Sequence, residues 1–183
     1  MPLKRSRLLA PKATVIALTA CATAIGPAAP CRADVPDWRA SVGAFLPVDV
    51  PSGTRDGAGV TLAVSRTVWR EAPSAPDAVR ASLRYTEYTL KGDQRIRLFH
   101  PMLEYERQLS GSRRRDGSRS GGLYGGVGAG LVFGDNSAGG STTHLAYTAF
   151  LDYDWQPILL EARLLRGSHT GEHGVALSLG AHW

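Results

Sequence analysis

From Thr143 to Trp155 the chain alternates. Thr143, Leu145, Tyr147, Ala149, Leu151, Tyr153 and Trp155 occupy odd positions; His144, Ala146, Thr148, Phe150, Asp152 and Asp154 occupy even ones. A period of two sorts the sets onto opposite faces of a strand, whereas a helix would scatter both around its axis. The C-terminus repeats the pattern: Val175, Leu177, Leu179, Ala181 and Trp183 share one face, and Gly174, Ala176, Ser178, Gly180 and His182 the other. Between these segments Ile158, Leu160, Ala162 and Leu164 oppose Glu161 and Arg163, after a tight turn at Gln156-Pro157.

The earlier segments follow less cleanly. Ala40, Val42, Ala44, Leu46 and Val48 alternate with Arg39, Ser41, Gly43, Phe45 and Pro47. Ala58, Val60, Leu62 and Val64 alternate with Gly59, Thr61, Ala63 and Ser65. Val79, Ala81, Leu83 and Tyr85 alternate with Arg80, Ser82, Arg84 and Thr86. Between Arg95 and Leu109 the parity slips: Ile96 and Leu98 are apolar on even positions, Leu103, Tyr105 and Leu109 on odd ones. Pro101 sits at the change, which predicts a β-bulge there. From Gly122 to Gly134, Leu123, Val127, Ala129, Leu131 and Phe133 face one way, and Gly126, Gly128, Gly130 and Gly134 the other, where they would give larger neighbours room. This makes eight strands. Turn-like residues separate them at Pro51 to Asp56, Glu71 to Asp77, Lys91 to Asp93, Ser110 to Gly121, Asp135 to Ser141, Gln156-Pro157 and Gly167 to His173.

Residues 1–33 read differently, as a secretory signal. Lys4, Arg5, Arg7 and Lys12 precede an apolar stretch from Ala13 to about Ile25, then Pro27 and Pro30, and Cys31-Arg32-Ala33 puts small residues before a cut at Asp34. Leu18-Thr19-Ala20-Cys21 is a competing lipobox, in which Cys21 would carry lipid. Cleavage after Ala33 removes both cysteines, and with them thiol catalysis and cysteine metal sites. It also changes the charge. The whole chain has 21 basic and 16 acidic residues, net +5. Five basic residues and no acidic one precede Asp34, so residues 34–183 carry 16 of each. A neutral mature domain has no overall electrostatic footprint for nucleic acid, and the basic run Arg113-Arg114-Arg115, in a Gly/Ser-rich stretch, reads as a solvated turn.

Eight short strands fit a soluble sandwich, a lipocalin-like barrel or a membrane barrel; the last inverts which face meets the outside. Three signs favour lipid. The leader exports the chain, the strands are long enough to cross a tilted bilayer path, and Trp38, Tyr153, Trp155 and Trp183 fall at strand ends, where interfacial aromatics belong. Residues 34–183 are therefore expected to form an all-β, eight-stranded antiparallel up-and-down transmembrane barrel, whose closure leaves no backbone edge in lipid.

Gly125-Gly126-Val127-Gly128-Ala129-Gly130-Leu131, Leu160-Glu161-Ala162-Arg163 and Leu177-Ser178-Leu179-Gly180-Ala181-His182-Trp183 resemble the eight-stranded outer-membrane barrel domains of the OmpA/OmpX type, over almost all of residues 38–183. The resemblance implies an outer-membrane location, lipid and the outer-membrane assembly machinery as partners, and a monomer. It also implies that the last strand, with Leu177 and Leu179, closes the barrel, and that the terminal aromatic serves as an assembly signal. Trp183 holds that place, where Phe is commoner.

With apolar faces outward, the interior would hold Arg80, Arg84, Glu104, Glu106, His144, Asp152, Asp154, Glu161 and Arg163. Eight strands leave a bore that side chains fill, and charges confined there must pair. Arg84 and Arg163 are expected to face carboxylates such as Glu104 and Glu161. The expected function is structural or surface-interacting and non-catalytic; a narrow channel, a small-ligand barrel and a lipid-modifying enzyme are the alternatives. Ser168, His169, Glu172 and His173 supply triad residue types, but in a glycine-rich loop, and Ser168 precedes His169, whereas lipid A deacylases place serine two positions after histidine. No cofactor is implied and no metal motif is complete.

Overall fold

Branched and aromatic residues at every second position favour extended chain, and the computed structural model turns each alternating segment into a strand. It describes residues 38–48, 58–70, 75–90, 94–111, 121–136, 140–155, 157–168 and 172–183. The leader, the lipobox at Cys21, Arg113 to Arg115 and His169 lie outside the described residues. The strands are β1 (Trp38–Pro47), β2 (Gly59–Trp69), β3 (Asp77–Leu90), β4 (Gln94–Ser110), β5 (Gly122–Asn136), β6 (Gly140–Trp155), β7 (Ile158–Gly167) and β8 (Gly174–His182). Each pairs antiparallel with its neighbours in sequence, and β8 pairs with β1, closing a barrel. At the seam the Trp38 amide donates to the Trp183 carbonyl at 3.1 Å, and the Trp183 amide donates to the Trp38 carbonyl at 3.0 Å.

The register fixes the tilt. Paired residues run from Pro47 through Gly174, Leu165, Thr148, Gly128, Glu104 and Arg80 to Thr67, the residue after Arg66, which is the partner of Trp38. One circuit of eight strands thus climbs about ten residues. With a rise of about 3.3 Å per residue and about 4.8 Å between strands, the strands lean roughly 40° from the barrel axis, within the usual range.

Outside and inside are inverted relative to a water-soluble barrel. Val60, Leu103, Val127, Leu145, Leu164 and Leu177 are each more than half exposed, while Arg80, Glu104, Glu106 and Asp152 are at most 1% exposed. Outward charges cluster at two ends. Arg66, Asp77 and Arg107 lie at the end that holds both termini; Glu87, Arg95, Arg97, Asp135 and Arg166 lie at the other, the loop end. Among the described residues no outward charged side chain lies between. Trp38, Trp69, Tyr105, Tyr153, Trp155 and Trp183 ring the terminus end, where the Arg66 guanidinium stacks 5.4 Å from the Trp38 ring centroid. Tyr85 and Phe99, centroids 4.9 Å apart, start a second aromatic row that Phe133 continues opposite Phe99.

The expected bulge at Pro101 is not formed. Leu83 pairs with Pro101 and Arg84 with His100 in unbroken register, and the β5 register is the same before the proline (Phe99 with Phe133) as after it (Met102 with Gly130). Pro101 brings no N–H, so the ladder to β5 skips a step instead of gaining a residue. The parity change has another cause: Ile96, Leu98 and Met102 stay inside, where the bore itself becomes apolar. Register shifts occur instead at Thr67/Trp69 and Gln108/Ser110, both at the terminus end. Several segments read as turns are partly strand: Asp77 opens β3, Ser110 closes β4, and Asp135, Asn136, Gly140 and Ser141 continue the β5–β6 ladder.

Candidate functional site: the barrel interior

The bore has two layers. In the terminus-side layer the alternation of β1, β3, β4, β6 and β7 delivers four guanidiniums, Arg39, Arg80, Arg84 and Arg163, and five carboxylates, Glu104, Glu106, Asp152, Asp154 and Glu161, all buried. Arg39 Nη1 donates to Asp152 Oδ2 at 2.9 Å and Nη2 to Glu106 Oε1 at 2.9 Å. Arg80 reaches Glu104 Oε2 and Glu106 Oε2, each at 2.9 Å, and lies 3.6 Å from Asp152 Oδ2. Arg163 Nη1 donates to Glu104 Oε1 at 2.5 Å and Nη2 to Glu161 Oε2 at 2.9 Å. Arg84 pairs with Glu161 and also donates to Thr61 Oγ1 at 3.1 Å. Ser82 Oγ adds a 2.7 Å bond to Glu104 Oε1. His182 Nε2 stands 3.2 Å from Asp154 Oδ1, setting an imidazole against the fifth carboxylate.

The sequence-expected residues Arg80, Arg84, Glu104, Glu106, Asp152, Glu161 and Arg163 thus converge in one network. Charge-assisted bonds of this kind are the stronger class, and sharing each carboxylate between arginines offsets the cost of removing them from water. Phe150 sits between two of the cations, 5.1 Å from the Arg80 guanidinium and 4.5 Å from that of Arg163, measured to its ring centroid. Glycine makes room for it: a Cβ on Gly126 would lie 2.3 Å from Phe150 Cζ. Beside the network, against Ser41, Ala63 and Ser65, a cavity of about 10 Å³ remains, space for about one water.

The loop-side layer is apolar. Phe45, Tyr88, Leu98, Met102, Val132, Ala146, Leu165 and Ala176 form one buried cluster, with Phe45 and Tyr88 rings 5.5 Å apart. Above it Glu172 turns inward, 5% exposed, with Oε1 3.9 Å from His144 Nε2. Gly167 leaves the space, since a Cβ there would meet Glu172 Oε2 at 2.1 Å. His173 Nε2 lies 2.8 Å from the Gly167 carbonyl oxygen. Of the Ser168, Glu172 and His173 set, Glu172 thus faces His144 and His173 faces the Gly167 carbonyl. Among the described residues no group of three or more His, Cys, Asp or Glu is placed to hold a metal ion.

Sequence reasoning missed Arg39, His182 and the apolar layer. Arg39 and His182 were legible, because each alternates with outward residues of its strand. Phe45 was as legible, on the face that Arg39 occupies; Leu98 was not, because an apolar residue on either face of a barrel strand looks the same in sequence. Leu177 and Leu179 face outward and pair with Ala44 and Val42 of β1, and Trp183 stands at the seam.

No protein-family model matches the chain, and no curated protein sequence does. Solved structures do. The Yersinia pestis outer membrane protein Ail in a phospholipid bilayer nanodisc is 15% identical with a TM-score of 0.50, and the match covers 81% of this chain and 100% of that one. Ail from the same organism in complex with the heparin analogue sucrose octasulfate is 18% identical over 80% of this chain and 97% of that one, TM-score 0.48. The outer membrane enzyme PagL is 17% identical over 80% and 97%, TM-score 0.44. The chain shares the fold of small eight-stranded outer-membrane barrels.

Proposed function

We propose that this protein spans a bacterial outer membrane as a monomeric, non-catalytic barrel with a structural or surface-interaction role, exported by a signal peptide at residues 1–33 that is removed after Ala33. The observation that carries the reading is the height of the outward apolar belt. On β4 the outward charges Arg97 and Arg107 are ten residues apart. At about 3.3 Å per residue and a tilt near 40°, they bound a belt of about 25 Å, the apolar height of outer-membrane barrels. A water-soluble barrel has no use for a belt of that height ringed by tryptophans, and an exposed apolar surface of this extent demands an apolar partner.

Two features support a role without conduction or turnover. The ionic layer is internally paired, and a cluster of buried apolar side chains occupies the bore at the loop end. Recognition then belongs to the loop end, where β3 to β6 rise past the Arg97 level and expose Arg95, Ser141, Thr142 and Thr143. On this reading the assembly machinery engages the β8 end at Trp183.

The test is fractionation of cells expressing the full precursor, with boiled and unboiled samples compared on a gel, and planar-bilayer recording of the purified barrel. An outer-membrane band whose mobility shifts on boiling, with no unitary conductance, is expected. A mature protein free in the periplasm with no shift would overturn the membrane reading, and stepwise currents would replace the plug with a channel.

A further inference from the structure

The strands do not stop at one height. At the loop end β3 and β4 pair as far as Leu90 with Gln94, β4 and β5 as far as Ile96 with Asn136, and β5 and β6 as far as Asn136 with Gly140. The ladder between β6 and β7 ends lower, at Ala146 with Gly167. β3 to β6 therefore rise out of the barrel as a flange. From Gly140 to Leu145 the edge of β6 that β7 lines below has no strand beside it among the described residues. The opposite edge is shorter: β2 pairs with β3 as far as Val60 with Glu87, so only Tyr88, Thr89 and Leu90 of β3 stand above it.

The open N–H and C=O groups of an edge strand template another strand, and proteins blunt such edges with charge, proline or a bulge. None of these is present here. Gly140-Ser141-Thr142-Thr143-His144-Leu145 has no lysine, arginine, carboxylate or proline. Its register with β5 is unbroken from Leu131 with Leu145 to Asn136 with Gly140. Gly140, Ser141, Thr142, Thr143 and Leu145 are exposed.

We propose that this edge takes up an extended segment of another polypeptide outside the cell, which joins the flange as a further strand antiparallel to β6. The inference rests on the membrane-spanning reading above and gives its loop-end recognition a mode. Main-chain hydrogen bonds supply the affinity, and alternate side chains the selectivity. On the outward face the added strand lies beside Ser141, Thr143 and Leu145, two hydroxyls above one apolar side chain at the top of the belt. Uncharged, β-branched residues suit that row.

A second copy of this chain is the poorer occupant. Two barrels in one membrane that face each other edge to edge are related by a half-turn about the membrane normal. Strands that lean about 40° then cross at about 80°, whereas neighbours in a sheet differ by about 20–25°. A copy in a facing membrane could run antiparallel. However, five residue steps of about 3.3 Å at that tilt raise the edge only about 13 Å. Full overlap of two such edges would hold the hydrocarbon layers about that far apart, a gap that the two headgroup layers, about 10–15 Å together, already fill.

The experiment uses the mature barrel, residues 34–183, which has no cysteine of its own, inserted into phosphatidylcholine vesicles. The probe is a peptide of six alternating threonines and valines, made with a single cysteine at each position in turn. The readout is its disulfide yield with Thr143→Cys. Strand addition is expected to give yields that rise and fall with a period of two along the peptide, because only every second side chain shares the face of Thr143. N-methylation of the peptide backbone removes its donors and is expected to lower the yields about tenfold. Asp135→Cys, on the same face of β5 but with a strand on either side, is expected to give background only. Should Thr143→Cys fail to insert, Ser141→Cys takes the next position on that face. Yields that are flat along the peptide, indifferent to N-methylation, or no higher than those of Asp135→Cys would each overturn strand addition. So would Thr143→Cys barrels that link to one another in preference to the peptide, which would give the edge to a second copy. A barrel that neither enters vesicles nor shows a heat-shifted band would sink the membrane reading itself, a failure distinguishable from failure of the edge.

Discussion

Arg163→Met removes one charge from the middle of the buried network and keeps most of the side chain's length. Arg163 is 2% exposed, bridges Glu104 and Glu161, and lies over the Phe150 ring. Losing one partner of a buried ion pair costs about 3–5 kcal/mol, because the remaining charge stays out of water. Here neither carboxylate is abandoned. Glu104 keeps Arg80 and Ser82, and Glu161 keeps Arg84. The loss should therefore fall near the lower end, about 3 kcal/mol. Glu104→Gln should cost about 2–3 kcal/mol, since Arg163 keeps Glu161 and Arg80 keeps Glu106. The double variant is the informative one. If the two side chains act on each other, its loss will be smaller than the sum by about 1–3 kcal/mol. Urea titration of the barrel in phosphatidylcholine vesicles, followed by tryptophan fluorescence and by the unboiled gel band, measures all three. Additive losses, or a single-variant loss below about 0.5 kcal/mol, would refute the picture of a mutually dependent buried network.

Gly126→Ala should destabilise by about 1–3 kcal/mol in the same titration, the cost of overpacking, because the added carbon would meet both the Tyr105 carbonyl oxygen of β4 and the Phe150 ring, which it pushes from the two guanidiniums. Combining Phe45→Ala with Leu98→Ala should empty much of the loop-side layer, lowering stability by several kcal/mol (about 2–5 for each site) and raising small-ion leakage in vesicle assays above that of the parent barrel; equal leakage from parent and double variant would show that this layer is not a seal. Deleting Trp183 removes both backbone hydrogen bonds to Trp38 at the seam, so the yield of heat-shifted band in outer membranes should fall, while Trp183→Phe keeps the bonds and should restore it.

The eight strands were legible because all but β4 keep their period for most of their length, and the ion-pair residues because charge on alternate positions of an apolar strand has only one place to go. Strand ends were less so. Asp135, Asn136 and Ser141 have turn chemistry yet lie in the β5–β6 ladder, because beyond the apolar belt nothing requires an outward residue to be apolar. The misread Pro101 has the same origin. Above the level of Phe99, the outward positions Arg97 and Arg95 become charged and the inward positions Leu98 and Ile96 apolar, as in a water-soluble barrel. A register slip and a change of solvent write the same pattern into a sequence, and only pairing to β3, continuous through Pro101, separates them.

On the membrane-spanning reading, that inversion also explains why the bore is layered. Where the outside faces hydrocarbon, apolar side chains gain nothing by turning inward, since the exterior is as apolar as any core, and the bore is left to charges that pair. Where the strands rise into water, burial of apolar surface regains its value of about 25 cal/mol per Å², and Leu98, Tyr88 and Val132 turn in to take it. The boundary inside should therefore track the boundary outside, and the chain places it so: Leu98 and Tyr88 lie next in line beside Arg97 and Glu87, the outward charges that mark the top of the belt. On that reading the plug at the loop end is mainly the ordinary hydrophobic core of the part of the barrel that rises into water, with Met102 reaching down into the belt, and the ionic layer is the interior of the part that stands in lipid.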